Sequence, residues 1–112
     1  GTAEASLENL YDVLAPGGTL GIVQHRGDEG ITLDQMTRTA YVPESKVIAL
    51  ATAAGFVLDG RSEINANARD TKDYSGGVWT LPPNFREGDV DREKYAAIGE
   101  SDRMTLRFKK PL

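Results

Sequence analysis

The chain of 112 residues has no cysteine and a single histidine. The first absence excludes disulfides, thiolate metal sites and cysteine nucleophiles. The second leaves His25 as the only imidazole, so a zinc site built from several histidines is excluded too. Long apolar runs are also missing. No stretch approaches the ~20 apolar residues of a membrane span, and no basic start is followed by the apolar core of a signal peptide, so a cytoplasmic protein with no membrane partner is expected. Positive charge is not in excess: 13 Lys and Arg against 17 Asp and Glu give a net charge of −4, which offers no global attraction to nucleic acid. A local basic cluster at Arg103, Arg107, Lys109 and Lys110 reads as solvated residues near the end of the chain.

What is present is the composition of one small globular domain, 39% hydrophobic and 27% charged, with room for one modest core. Leu7, Leu10, Tyr11 and Leu14 recur at i, i+3, i+4 and i+7, the apolar stripe of an amphipathic helix. Pro16-Gly17-Gly18 stops it, and residues 19–23 then read as a short strand, apolar on both faces and suited to a sheet covered by helices on each side. Gln24 to Gly30 is polar and glycine-flanked and reads as a loop. Thr32 with Gln35 three positions on has the form of a capping box. A longer helix is expected over 43–54, with Pro43 in its first turn, Val47, Leu50, Ala51 and Ala54 on its apolar face and Gly55 as its stop.

Residues 56–64 read as a second strand, with Phe56, Leu58 and Ile64 on one face and Val57, Asp59 and Arg61 on the other. Residues 65–102 are mostly polar, carry Gly76-Gly77 and Pro82-Pro83, and form a long excursion in which a short helix around 92–98 is allowed. Loops of that length are uncommon in compact domains unless they serve a site or are mobile. Met104, Leu106 and Phe108 then alternate with Thr105, Arg107 and Lys109 in a last strand over 103–109.

The order of a helix, the turn Leu14-Ala15-Pro16-Gly17-Gly18-Thr19-Leu20, a strand, a helix, Ala54-Gly55-Phe56, a strand, a long loop and a final strand resembles the C-terminal half of the Rossmann-like S-adenosylmethionine-dependent methyltransferases. The match covers nearly the whole chain. The stretches 67–73, 78–83 and 99–108 further resemble a bacterial group of predicted methyltransferases. The resemblance implies an α/β fold, with a mixed sheet of about three strands, a packed helix, and the last strand inserted antiparallel between the two before it. It implies that the chain is a single partial domain, the acceptor-side portion of an enzyme whose substrate is a small-molecule methyl acceptor. The cofactor-binding glycine turn after a first strand and the acidic residue about 20 positions on are not in the sequence. Gly27-Asp28-Glu29-Gly30 follows a strand but lacks the glycine spacing and adds two carboxylates. No S-adenosylmethionine binding is therefore expected of this chain alone.

Methyl transfer requires an aligned acceptor and, for some acceptors, a proton taken from it. His25 lies near the C-terminal end of the first strand, the edge where open α/β sheets place ligands, and is the candidate catalytic residue. The alternative is a surface histidine in a polar loop. Arg26 beside it, Arg69 and Asp70 in the long loop, Trp79 and Arg103 are the candidate substrate-binding residues. Each has a plainer role open to it. Arg69, Asp70, Lys72 and Asp73 alternate in sign as a solvated loop with local ion pairs would, Trp79 can anchor the loop, and Arg103 can pair with Glu100 or Asp102. Finally, the strand over 19–23 would lack its parallel neighbour, and an unpaired edge without proline or lysine invites a partner, so self-association through that edge is expected. A non-catalytic self-associating or binding module on the same half-fold is the alternative to an enzyme.

Overall fold

The computed structural model describes residues 2–112. In chain order its elements are α1 (Thr2–Val13), β1 (Thr19–Gly27), α2 (Leu33–Thr39), β2 (Val42–Pro43), α3 (Glu44–Ala54), β3 (Val57–Ser62), a 3-10 turn (Gly77–Thr80), α4 (Arg92–Ile98) and β4 (Arg103–Lys109). Among the described residues the strands form one mixed sheet of four in the order β2-β1-β4-β3. β4 is antiparallel to both β1 and β3, from Thr19↔Lys109 to His25↔Arg103 on one side and from Val57↔Lys109 to Ser62↔Thr105 on the other. The last strand therefore stands between the two earlier ones, as expected.

Three boundaries differ from the sequence reading, each for a physical reason. β1 continues to Gly27, four residues past Val23, because Gln24 and His25 pair with Met104 and Arg103 of β4 and the Arg26 N–H donates to the Asp102 carbonyl just before that strand. The expected count of about three strands becomes four, since Val42 and Pro43 pair in parallel with Arg26 and Gly27, a contact too short to leave a periodic trace. β3 is shorter than 56–64 and carries an irregularity between Leu58 and Gly60. An extra residue in one strand reverses the alternation beyond it, so Arg61 reaches Glu44 of α3, and Ile64, expected beside Phe56 and Leu58, lies exposed beyond the strand.

The remaining signals map onto local structure. Thr32 and Gln35 form the capping box of α2. Pro43 is the N-cap of α3 rather than its first residue, with ψ at 141°. Within the excursion of 65–102 the only regular elements among the described residues are the 3-10 turn and α4, and the Pro82–Pro83 bond is cis.

The core lies on one face of the sheet, under α1 and α3. Met104, Leu106 and Phe108 of β4 meet Val47 and Ala51 of α3 and Phe56, while Tyr11, Leu14, Leu20 and Ile22 pack around them. Tyr11 and Phe56 make an edge contact at 5.1 Å between ring centroids, continued by Phe56 and Phe108 at 6.4 Å. Full burial of each such large side chain contributes about 1.5–3 kcal/mol. Gly55 fixes the approach of α1: its φ is +114°, and a Cβ there would fall 2.7 Å from the Tyr11 ring. Lys110, read as a solvated terminal charge, instead donates from Nζ to the carbonyls of Tyr11 and Leu14 at 2.6 and 3.0 Å. It satisfies carbonyls at the end of α1, where a cation is favoured.

The opposite face carries Thr19, Gly21, Val23, Arg107 and Lys109, all exposed. The expected helical cover on both sides is thus found on one side only among the described residues.

Candidate functional site

Strand alternation separates two candidate residues that are adjacent in sequence. Successive side chains of a strand point to opposite faces, so Arg26 emerges on the helix side and His25 on the open side. Each enters a different environment at the same end of the sheet.

On the helix side, Arg26 holds Asp102 with two bonds, Nε to Oδ2 at 2.9 Å and Nη2 to Oδ1 at 3.0 Å, and Glu63 with two more at 3.1 and 2.8 Å. Asp102 also accepts from the Asn67 N–H at 2.8 Å and pairs with Lys72 at 3.0 Å. Despite its burial, these donors hold its carboxyl below the usual range, at about 2. Beside it in the same network, Asp70 is buried and accepts from the Tyr41 hydroxyl at 2.7 and 2.9 Å, from the Asp102 N–H at 2.9 Å and from the Lys72 N–H at 3.0 Å. Burial first, and the Asp70 hydrogen bond second, push the Tyr41 hydroxyl well above its ordinary value. Every charge here has a partner. The network clamps the long loop to the sheet, and Arg26 and Asp70, expected to bind substrate, serve that clamp.

On the open side, His25 Nδ1 shares a hydrogen bond of 2.6 Å with Ser101 Oγ. Its Nε2 has no hydrogen-bond partner among the described residues. Burial, then the charge of Arg103, lower the imidazole pKa below its ordinary value, so His25 is neutral at pH 7 and able to accept a proton. His25 lines a cleft of about 120 Å³ whose other walls include Val78, Trp79, Pro82, Pro83, Asn84 and Arg103. Arg103 is the register partner of His25. Its guanidinium makes a loose contact of 3.5 Å with Glu100, and its Nε is buried with no partner among the described residues.

Three of the expected site residues, His25, Trp79 and Arg103, are therefore brought together, although they are far apart in sequence. Arg69 is elsewhere, exposed, with Nη1 donating to the Ala97 carbonyl at 3.3 Å. The local ion pairs expected around it are replaced by long-range ones, Lys72 reaching Asp102 and Asp28. Ser101 and Asn84 were not foreseen. The signal for Ser101 was its position three residues before Met104, an odd spacing that puts it on the face opposite the apolar side chains of β4 and beside His25.

A second cavity of about 200 Å³ lies between Ile31, Arg38, Tyr41, Lys72 and Tyr74. It is the weaker candidate for chemistry, because Arg38 is paired with Asp34, Tyr41 with Asp70 and Lys72 with Asp102. Among the described residues no group of three or more His, Asp or Glu side chains could hold a metal ion, and no helix is long and apolar enough to cross a membrane.

In the turn after β1, Glu29 is engaged with the Ser45 hydroxyl, Asp28 is exposed, and a Cβ added at Gly30 would meet nothing within 4 Å. A scan against protein-family models gives no match, and a search of curated proteins gives none either.

Proposed function

We propose that this chain is the acceptor-side portion of a Rossmann-like S-adenosylmethionine-dependent methyltransferase, inactive alone, in which the His25 cleft receives a small-molecule methyl acceptor. The observation that carries the reading is the topology: the last strand lies antiparallel between two earlier strands, the arrangement that the family resemblance implies. Its position at the C-terminal end of β1 agrees with where open α/β sheets take their ligands. A radius of gyration of 15.6 Å, against about 13 Å for a compact domain of this length, also agrees with a partial domain.

In this reading His25 takes the proton of an acceptor hydroxyl on Nε2, while Ser101 fixes the ring through Nδ1. Trp79 and Arg103 orient the acceptor. The cofactor belongs to residues outside this chain, and no residue here is assigned to it. Calorimetry with S-adenosylmethionine should show no binding to the isolated chain; a micromolar dissociation constant would mean that the cofactor site has been misplaced. The positive test is transfer of labelled methyl groups by a longer chain that carries these residues. His25→Asn should lower kcat for hydroxyl acceptors by about two orders of magnitude, and an unchanged rate would remove His25 from the chemistry.

A non-catalytic self-associating module is the second reading. It is favoured by the edge of β1, which among the described residues is paired on its β2 side only at Arg26 and Gly27.

A further inference from the structure

We propose that the His25 cleft binds a single-ring aromatic hydroxy acid, its ring against Trp79 and the Pro82-Pro83 wall, its carboxylate on Arg103 and its hydroxyl on His25. The class of acceptor rests on the acceptor-side reading above; the binding itself does not.

The volume sets a scale first. About 120 Å³ is close to the size of an apolar cavity that accepts one benzene ring, roughly 150 Å³. The walls select next. Trp79, Pro82, Pro83 and Val78 offer flat or apolar surfaces, while Asn84, Glu100 and Ser101 add polar groups to the lining, so an aromatic ring that carries polar substituents suits it.

The polar groups then fix its substituents. Among the described residues Arg103 has one carboxylate contact, to the exposed Glu100, long at 3.5 Å, and its side chain is 32% exposed, which leaves its guanidinium open to a ligand. A planar guanidinium in that condition matches a carboxylate in fork geometry. His25 has one nitrogen committed to Ser101 and the other without a partner among the described residues, so it suits a hydroxyl. His25 and Arg103 are register partners on adjacent strands, so both side chains rise from the same face of the sheet into the cleft.

The chain supplies its own reporters, because Trp79 is its only tryptophan and His25 its only histidine. The probes are 4-hydroxybenzoate, phenol and methyl 4-hydroxybenzoate, titrated while Trp79 fluorescence and the His25 imidazole resonances are followed. The expected result is a saturable change in both signals with 4-hydroxybenzoate, and affinities about tenfold lower for the two probes without a carboxylate. Arg103→Gln should reduce 4-hydroxybenzoate to the level of phenol. Should that variant fail to fold, the acid and ester compared on the unaltered chain answer the same question. Equal affinity for acid and ester, or no saturation at millimolar 4-hydroxybenzoate, overturns the proposal. Binding without methylation by the longer chain would sink the transferase reading and leave this site standing. Methylation of other acceptors without binding here would do the reverse.

Discussion

Arg26 and Asp102, 76 residues apart in the chain, meet as a two-pronged ion pair at 2.9 and 3.0 Å. The Asp102 side chain is 7% exposed, whereas that of Glu63, the other carboxylate held by Arg26, is 64% exposed. Removing one partner of a buried pair leaves the other uncompensated, while exposed pairs contribute little. Asp102→Asn should therefore cost about 3 kcal/mol in urea unfolding and Glu63→Gln less than about 1 kcal/mol. Equal effects would show that Asp102 is not the centre of the clamp.

The same carboxylate predicts an acid limb. Its folded pKa, about 2, lies below the ordinary value of 3.8, so the folded state binds the proton less readily than the unfolded one. The stability it contributes is present above pH 4 and disappears as pH falls toward 2. Stability measured across that window should decline steeply for the unaltered chain and less steeply for Asp102→Asn. Parallel curves would contradict the assignment.

For His25 the shift has the same direction but a different charge. Its folded pKa is lowered below 6.5 by burial and by Arg103, so protonation favours the unfolded chain. Stability is full above pH 6.5 and declines as pH falls toward the lower folded value. Imidazole resonances should titrate with a midpoint below 6.5, and His25→Gln should remove this part of the pH dependence. A midpoint at or above 6.5 would mean that the ring is solvated.

Gly77 and Gly30 both have positive φ, +62° and +86°, yet differ in surroundings. A Cβ at Gly77 would fall 2.5 Å from the Thr39 backbone, whereas one at Gly30 would meet nothing within 4 Å. Gly30→Ala should cost about 1 kcal/mol for the left-handed backbone alone. Gly77→Ala should cost at least twice that and loosen the contact between α2 and the 3-10 turn. Thermal unfolding of the two variants checks the ratio.

The edge of β1 carries the self-association proposed for a chain without its parallel neighbour. Ile22 packs against the core, so a charge there would damage the fold as well as any interface. Val23 is 55% exposed on the open face, and Val23→Lys places a charge on the edge strand without touching the core. Light scattering should give a mass that rises with concentration for the unaltered chain and stays monomeric for the variant. A monomeric mass at every concentration would sink the idea.

Much of the fold was legible because its signals are local. The capping box at Thr32, the stop at Gly55 and the alternation from Met104 to Phe108 each depend on residues within one or two turns of one another. β2 was not legible, since two residues carry no period, and the irregularity in β3 hid the facing of Arg61. The site was legible only in part. His25, Trp79 and Arg103 could be named individually, but their common cleft depends on strand register and on the path of the long loop. The clamp was invisible for the same reason: nothing near Arg26 in sequence points to Asp102, and Asp70 reads as one more solvated loop acid until Tyr41 is brought over it.

The central place of β4 also sets an order of events when the chain is made. β1 and β3 do not pair with each other; both take their partner from a strand that leaves the ribosome after them, Thr19 waiting for Lys109. Until that strand emerges, α1 and α3 have no sheet on which to lay their apolar sides, and the exposed strands of the nascent chain are open to wrong partners. A chain released before residue 103 would have lost not an edge of its sheet but the strand on which the others are assembled.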